Sequence, residues 1–292
     1  MGKGNILYGR MVGDKILEEV AKGVQEIKEK YGKSPLLMTL EVGDNPASRV
    51  YLSSQRKTAE EVGINYETIQ LSAATSQERL LNMIRDINKD PYINGLILHL
   101  PLPKHINTKI VQWSIEQKKD VEGVTPMNLG QLFLGMPGLI PCTAQSIVAL
   151  IKSTGVDLKG REVTIIGNSD IVGKPVALLL MQEEATVTVC QLTTYERGFL
   201  KEHVQRAEIL IVAAGHPGLV KGEWIKDGAI VIDAGITAVE DKILGDVQFE
   251  EAVKKADYIT PVPGGVGILT VAYLMKNTLE ALKWQLRDNE ED

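Results

Sequence analysis

Short β-rich runs alternating with helix-length amphipathic stretches constrain this chain more than any other feature. A two-residue turn can join antiparallel strands, but strands separated by a helix run parallel, as βαβ units. Val12 to Tyr31 carries Ile16, Leu17, Val20, Val24 and Ile27 at helical spacing, so it reads as an amphipathic helix. Pro35 to Gly43 (PLLMTLEVG) is a short apolar run closed by a turn and reads as a buried strand. Pro46 to Val62 reads as a helix, Tyr66 to Leu71 as a strand and Ser76 to Lys89 as a helix. Asn94 to Pro103 reads as a strand ending in a proline-punctuated loop. Asp120 to Pro141 then breaks the pattern. It is rich in Gly and Pro, has room for one short helix, and marks a crossing between two lobes, with Ala144 to Ser153 as a linking helix. The alternation restarts with Glu162 to Gly167, Ala185 to Cys190, Glu208 to Gly215 and Ala229 to Gly235, the pattern of a doubly wound nucleotide-binding domain. A last helix, Ile268 to Leu286, follows the loop Thr260 to Gly267 and is expected to pack back on the first lobe.

Composition narrows the function classes. At 292 residues the chain has length for two domains. A hydrophobic fraction of 44% argues against disorder, and with aromatics at 5% the core must come from Val, Ile, Leu and Ala. The net charge of −6 and the lack of a basic block argue against a nucleic-acid partner. No apolar run approaches the ~20 residues of a membrane span. Met1 to Arg10 has no signal-peptide core, and the expectation is a cytoplasmic protein. Cys142 and Cys190 are too few for a disulfide framework, and the four scattered histidines show no metal-ligand spacing.

The first chemical signal is GNSDIVGKP, Gly167 to Pro175, directly after a strand. A glycine-bearing turn from strand to helix suits a dinucleotide pyrophosphate, because backbone approaches closely and the helix start presents free N–H groups. Ser169 replaces the second glycine of the G-x-G-x-x-G pattern, so an ordinary βα turn is the alternative. An acid at the end of the second strand would hold a ribose 2′-hydroxyl. Here Cys190, Gln191, Leu192, Thr193 and Thr194 offer none, and the threonine hydroxyls suit a 2′-phosphate, so NADP is favoured with NAD as the alternative. Arg197 reads as a surface charge. The candidate cofactor residues are Gly167, Asn168, Ser169, Ile171, Val172, Gly173 and Lys174 on the loop, then Thr193, then Ala213, Ala214 and Gly215, then Asp233, Gly235 and Ile236 after the later strands. Asp233 serves equally as a cap for its own turn.

The strings VGDNPAS (Val42 to Ser48), LPLP (Leu100 to Pro103), GNSDIVGKP and TPVPGGVG (Thr260 to Gly267) occur in the same order as in the methylenetetrahydrofolate dehydrogenase/cyclohydrolase family, which the chain resembles over nearly its whole length. DVEG (Asp120 to Gly123) and PCTAQ (Pro141 to Gln145) also fit. The resemblance implies two α/β lobes around a cleft, the second a Rossmann-like parallel sheet, and a homodimer through the nucleotide domain. The implied division is a folate-binding catalytic domain over 1–143, completed by the C-terminal helix 270–292, and a dinucleotide-binding domain over 144–269. The implied reaction passes hydride from 5,10-methylenetetrahydrofolate to NADP, followed in most members by hydrolysis of the methenyl cation to 10-formyltetrahydrofolate.

Four positions depart from the family pattern. The helix after VGDNPAS keeps the family Tyr as Tyr51, but the Lys four residues on is Gln55. The Gln before LPLP is His99, the second acid of DVDG is Glu122, and the Pro after TPVPGGVG is Ile268. A Lys can move a proton during hydrolysis, whereas Gln can hydrogen-bond but cannot exchange one at neutral pH. At ~100° per residue, Arg56 and Lys57 point away from the Tyr51 face. His99 is a candidate substitute, since imidazole titrates near neutrality; the alternative is a hydrogen-bonded histidine at a strand end. Hydride transfer asks chiefly for positioning. By the resemblance, Tyr51, Gln55, His99 and Glu122 are the catalytic candidates, and Leu100, Pro101, Pro263, Gly264 and Gly265 join Tyr51 and Glu122 around the substrate. Glu122 would accept hydrogen bonds from the pterin, or else cap a helix; its extra methylene shifts those contacts. Thr270 is a further contact candidate, and Arg49, Lys57 and Lys276 would attract a glutamate tail or stand as surface charges. The leading expectation is a dehydrogenase with weak or absent cyclohydrolase activity. The alternatives are a fully bifunctional enzyme and a repurposed folate- or nucleotide-binding homologue.

Overall fold

The computed structural model describes residues 4–44, 46–136, 138–240 and 242–291, with the side chains of all of these except 46–50 and 289–291. Asn45 of the VGDNPAS string, and the side chains of Pro46, Ala47, Ser48 and Arg49, therefore lie outside the described residues. The described strands are β1 (Asn5–Ile6), β2 (Leu36–Val42), β3 (Asn65–Leu71), β4 (Gly95–Leu98), β5 (Glu162–Ile166), β6 (Thr186–Cys190), β7 (Ile209–Val212), β8 (Ile230–Asp233), β9 (Thr237–Val239), β10 (Lys242–Leu244) and β11 (Tyr258–Ile259). Two compact units result: one of Lys15–Cys142 with Val271–Asp292, the other of Met1–Asp14 with Thr143–Thr270.

The first unit holds a three-stranded parallel sheet in the order β3-β2-β4. Side chains alternate faces along a strand. Met38, Leu40 and Val42 of β2 therefore share one face, and with Leu96 and Leu98 they form an apolar cluster with Leu80, Ile84 and Ile87 of the helix Gln77–Lys89. That helix starts where Ser76 Oγ accepts the Arg79 N–H at 3.2 Å, an N-cap. The other β2 face carries Leu37, Thr39 and Glu41, all buried. A carboxylate inside a strand is costly unless something uses it, and this face turns polar toward the carboxyl end of the strand. The C-terminal helix Val266–Glu291 contributes its later turns to this unit. Asn277 Nδ2 donates to Val121 O and Ile140 O at 2.8 Å each, and Gln285 Nε2 donates to Asn94 O at 2.9 Å and Lys118 O at 3.0 Å.

The second unit is built on a six-stranded parallel sheet, β1-β11-β8-β7-β5-β6. Taken from β5, the order β6-β5-β7-β8-β11 is 2-1-3-4-5, a doubly wound arrangement that reverses direction between β5 and β7. Four of these strands match the runs read from the sequence. The others escaped because two or three residues are too short to show a period: β1 and β11 at the sheet end, and the antiparallel β9–β10 pair. The division predicted at residue 143 is corrected at the N-terminus. Asn5 pairs with Tyr258 and Ile6 with Ile259, so residues 1–14 belong with the nucleotide-type unit. The first helix also begins at Gly9 rather than Val12. Gly9 N–H donates to Gly264 O at 2.9 Å, and a Cβ there would sit 2.1 Å from Gly265 O, so only glycine allows this start.

Candidate active site

The polar face of β2 is where the predicted folate-site residues gather. Thr39 Oγ1 donates to the Tyr66 hydroxyl at 2.8 Å, and that hydroxyl donates to Gln55 Oε1 at 3.0 Å. The Gln55 amide hydrogen-bonds in turn to the hydroxyl of Tyr51, one helical turn back on Pro46–Glu61. Gln55 is 2% exposed, so this chain of four side chains satisfies an amide that burial would otherwise penalise. Tyr51 exposes 41% of its surface, but loss of solvation at its inward hydroxyl pushes it up to about 12, against the opposing Gln55 hydrogen bond. Arg56, which the helical wheel points away from the Tyr51 face, has its partners on β3. It donates to Thr68 Oγ1 at 3.2 Å and lies 5.1 Å from the centre of the Tyr66 ring.

Asp120 and Glu122 divide the work of the DVEG loop. Asp120 pairs with Leu96 as a parallel bridge, which extends the sheet edge beside β4. Its Oδ2 accepts from Thr125 N and Asn128 Nδ2 at 2.8 Å each, holding the start of the helix Pro126–Phe133. The capping alternative considered for Glu122 thus falls to Asp120. Glu122 is free for other work; desolvation of its carboxyl, helped by the Asp120 charge, pushes it up to about 8. It therefore holds its proton more tightly than an ordinary carboxyl, and it lies close enough to Tyr51 for its charge to help raise the tyrosine hydroxyl.

His99 follows β4 directly and donates its backbone N–H to Leu40 O at 2.9 Å, so it stands beside Glu41 across the β2–β4 pair. Both line a cavity of about 270 Å³ with Asp44, Ala73, Pro101 and Pro103. Glu41 Oε1 and His99 Nε2 are buried and have no hydrogen-bond partner among the described residues. The satisfied strand-end histidine offered as an alternative is therefore not what the structure contains. Leu100 is 40% exposed at the same loop.

In the other unit the glycine turn sits at the reversal between β5 and β7, where open α/β sheets take their ligands. Gly167 has φ +114°, and a Cβ there would lie 2.2 Å from Ala213 O; one on Gly173 would lie 2.0 Å from Gly167 O. The loop passes too close to itself for side chains where it enters the helix Gly173–Gln182. Ser169 Oγ accepts from Val172 N at 3.2 Å, and Lys174 pairs with Asp170 at 2.5 Å. Asn168, Ile171 and Val172 complete the turn. A larger cavity of about 320 Å³, lined by Arg161, Glu208, Lys226 and Asp257, opens at the amino ends of β7, β8 and β11, the wrong edge for such a ligand.

Several predicted cofactor residues hold the fold instead. Asp233 Oδ1 accepts from Gly235 N at 2.9 Å and Asp246 N at 3.1 Å, and its Oδ2 accepts from Val247 N at 2.8 Å. It is a buried turn organiser, and desolvation pushes it up to about 6. The Ala214 and Gly215 amides are taken by Asp246 Oδ2 at 2.7 and 2.8 Å, so neither is free for an anion. Thr194 Oγ1 accepts the Gln191 N–H at 3.1 Å as half of a capping box, which leaves Thr193 as the hydroxyl open to solvent. Ile236 and Ile268 are exposed, 63% and 49%. Pro263, Gly264 and Gly265 shape the turn against Tyr8 and Gly9, and Thr270 returns its hydroxyl to Val266 O at 3.0 Å. Lys57, on the surface, pairs with Glu61 at 3.9 Å, and the half-buried Lys276 lies 5.7 Å from the Tyr273 ring. Sequence reasoning missed Thr39, Glu41, Tyr66 and Asp246. Thr39 and Glu41 carried a signal: two polar residues at strand period inside an otherwise apolar run.

Comparison with known proteins places both parts of the chain in one family. Residues 7–122 match the family model of the tetrahydrofolate dehydrogenase/cyclohydrolase catalytic domain, and residues 141–286 match that of the tetrahydrofolate dehydrogenase/cyclohydrolase NAD(P)-binding domain. The chain is 44% identical to the bifunctional protein FolD of Acetivibrio thermocellus, over 97% of this chain and 98% of that one. It is 46% identical to that of Moorella thermoacetica, over 95% and 98%. The solved methylenetetrahydrofolate dehydrogenase-cyclohydrolase of Trypanosoma brucei, complexed with NADP and an inhibitor, superposes with a TM-score of 0.94 at 38% identity, covering 98% of this chain and all 100% of that one.

Proposed function

The chain belongs to the tetrahydrofolate dehydrogenase/cyclohydrolase family, and from that premise we propose that it oxidises 5,10-methylenetetrahydrofolate with NADP and hydrolyses the methenyl product only slowly. The observation that carries this reading is Gln55. It is buried and held between two tyrosine hydroxyls, in a chain that contains no group titrating near neutrality. Hydride transfer survives such a change, because it needs the two reactants held in contact rather than a proton carrier. Tyr51 provides a hydroxyl and ring edge for the pterin. Glu122, which holds its proton more tightly than an ordinary carboxyl, offers it both a donor and an acceptor. The glycine turn at Gly167 and Gly173 suits a dinucleotide pyrophosphate, since a Cβ at either position would strike neighbouring backbone and only glycine lets the strand-to-helix turn close this tightly. NADP, when bound there, supplies the hydride acceptor. The absence of an acid after β6 and the open hydroxyl of Thr193 favour the 2′-phosphate over a free ribose.

Full bifunctionality is the second reading, favoured by the names of relatives more than 40% identical to this chain. One absorbance assay separates the two. Methylenetetrahydrofolate and NADP are supplied, and methenyl and formyl products are followed. Accumulating methenyl product is expected; passage to formyl product as fast as oxidation would establish the second reading, and no oxidation would leave a repurposed binding protein. A cytoplasmic homodimer is part of the proposal. β6 is the edge strand of the parallel sheet, with Val189 38% exposed, and a second copy pairing there would cover it. Light scattering at micromolar concentration is expected to give twice the chain mass.

A further inference from the structure

We propose that His99, backed by Glu41, is the proton acceptor for the hydrolysis this chain retains, an acid–base pair at the strand ends in place of a helix lysine. The proposal rests on the reading that the site takes a methenyl-bearing folate. Its basis is geometric. β2 and β4 pair in parallel through Leu40 and Leu98, so Glu41 and His99 come next on the two strands, about 5 Å apart at the backbone and on the same face. One buried carboxylate oxygen and one buried imidazole nitrogen stand there, each without a partner among the described residues. Unsatisfied buried polar atoms are costly, and a native fold keeps them for a reason. In the proposed pair Glu41 holds the imidazole tautomer and steadies its charged form, as its Coulombic influence on the ring favours. The half-buried ring then presents its remaining edge to the cavity it lines with Asp44, Pro101 and Pro103.

The titratable groups around the ring are Glu41 on β2, Asp44 on the following loop, and Tyr66 on β3, whose hydroxyl senses the Glu41 charge. Burial holds the imidazole below its ordinary range, and the Glu41 charge partly restores it. The ring is therefore neutral at pH 7 and can accept a proton. The water oxygen bonds to the methenyl carbon as the imidazole takes one water proton, which leaves a neutral hydroxymethylene adduct. The bond from that carbon to the pterin ring nitrogen then breaks. That nitrogen receives the imidazolium proton, the hydroxyl proton passes to the imidazole, and the formyl carbonyl forms. One proton is released to solvent per turnover. Gln55 cannot perform this exchange.

The test supplies methenyltetrahydrofolate without NADP and follows its loss, above the solution rate, between about pH 5 and 8. Wild type is expected to lose activity on the acid side as the imidazole protonates. His99→Gln is expected to lower the rate about 10²-fold and remove the acid limb. Glu41→Gln removes the charge that favours imidazolium, so the acid limb moves to lower pH and the rate falls several-fold. That shift would not follow from a merely structural role, and it decides the matter if His99→Gln fails to fold. A wild-type rate flat with pH, no rate above solution, or variants with the wild-type profile would each overturn the proposal. Failure of the NADP-dependent oxidation would count against the dehydrogenase reading and leave this result standing by itself.

Discussion

At Gln55 a buried amide is held by two tyrosines where the family pattern places an amine. A Lys there would keep its stem in the same groove and bring a proton that can be exchanged. Gln55→Lys is accordingly expected to raise methenyl hydrolysis, short of the full 10²–10⁴-fold that about one acid–base group contributes. The shortfall arises because His99, Glu122 and Tyr66 have been shaped around an amide, and neighbours of this kind couple. Absorbance of the methenyl compound checks it. Glu122 leads to a stability prediction. Its ordinary value is 4.5 and its folded value about 8, so in between the native chain keeps a proton that the unfolded chain releases. Its contribution is complete below the ordinary value and is lost as pH rises through about 8. Asp233, raised from 3.8 to about 6, acts with the same sign. Urea midpoints are expected to fall from about pH 5 to pH 8, with a shallower fall in Glu122→Gln.

Elements place these residues by simple rules. β2 alternates, so one face feeds an apolar cluster and the other brings Thr39 and Glu41 beneath the helix that carries Tyr51 and Gln55. The reversal between β5 and β7 leaves a crevice at the strand ends, and the glycine turn fills it with backbone. Adding one methyl there tests that geometry. Gly173→Ala places a carbon 2.0 Å from Gly167 O, against backbone that has nowhere to move. The substitution is expected to abolish NADP binding in a calorimetric titration and to destabilise the chain by about 1–3 kcal/mol. Retained affinity would mean that the turn does not contact the pyrophosphate.

At the scale of the whole molecule, the ends of the chain are exchanged between the units. The first 14 residues supply the outer strand β1 to the six-stranded unit, and the last helix supplies Asn277 and Gln285 to the three-stranded one. Asn277 closes the DVEG loop, since its amide satisfies the carbonyls of Val121 and Ile140 at once. Asn277→Ala leaves the buried Val121 carbonyl and the partly buried Ile140 carbonyl without that donor and is expected to cost about 1–3 kcal/mol. Hydrogen exchange is expected to quicken first at Val121 to Gly123, and substrate affinity to fall with it because Glu122 sits on that loop.

Periodicity by itself determined that strands and helices alternate, that the three- and six-stranded sheets are parallel, and that the second half is doubly wound, because burial on one face imposes a countable repeat. Motif order determined the family and with it the positions of Tyr51, Gln55, His99 and Glu122. Tertiary structure decided what those residues touch. Strands of two or three residues, such as β1 and β11, carry no countable repeat and exist through pairing alone. Asp233 looks like a ligand group in the sequence but is taken up by backbone amides at Asp246 and Val247. Thr39 and Tyr66 reach Gln55 from separate strands, and Glu41 meets His99 only because β2 and β4 are neighbours. Proton chemistry depends on such contacts. Hydrogen bonds and charge interactions act over a few ångströms of space, and residues 11 or 58 positions apart come within that range only when the sheet has formed.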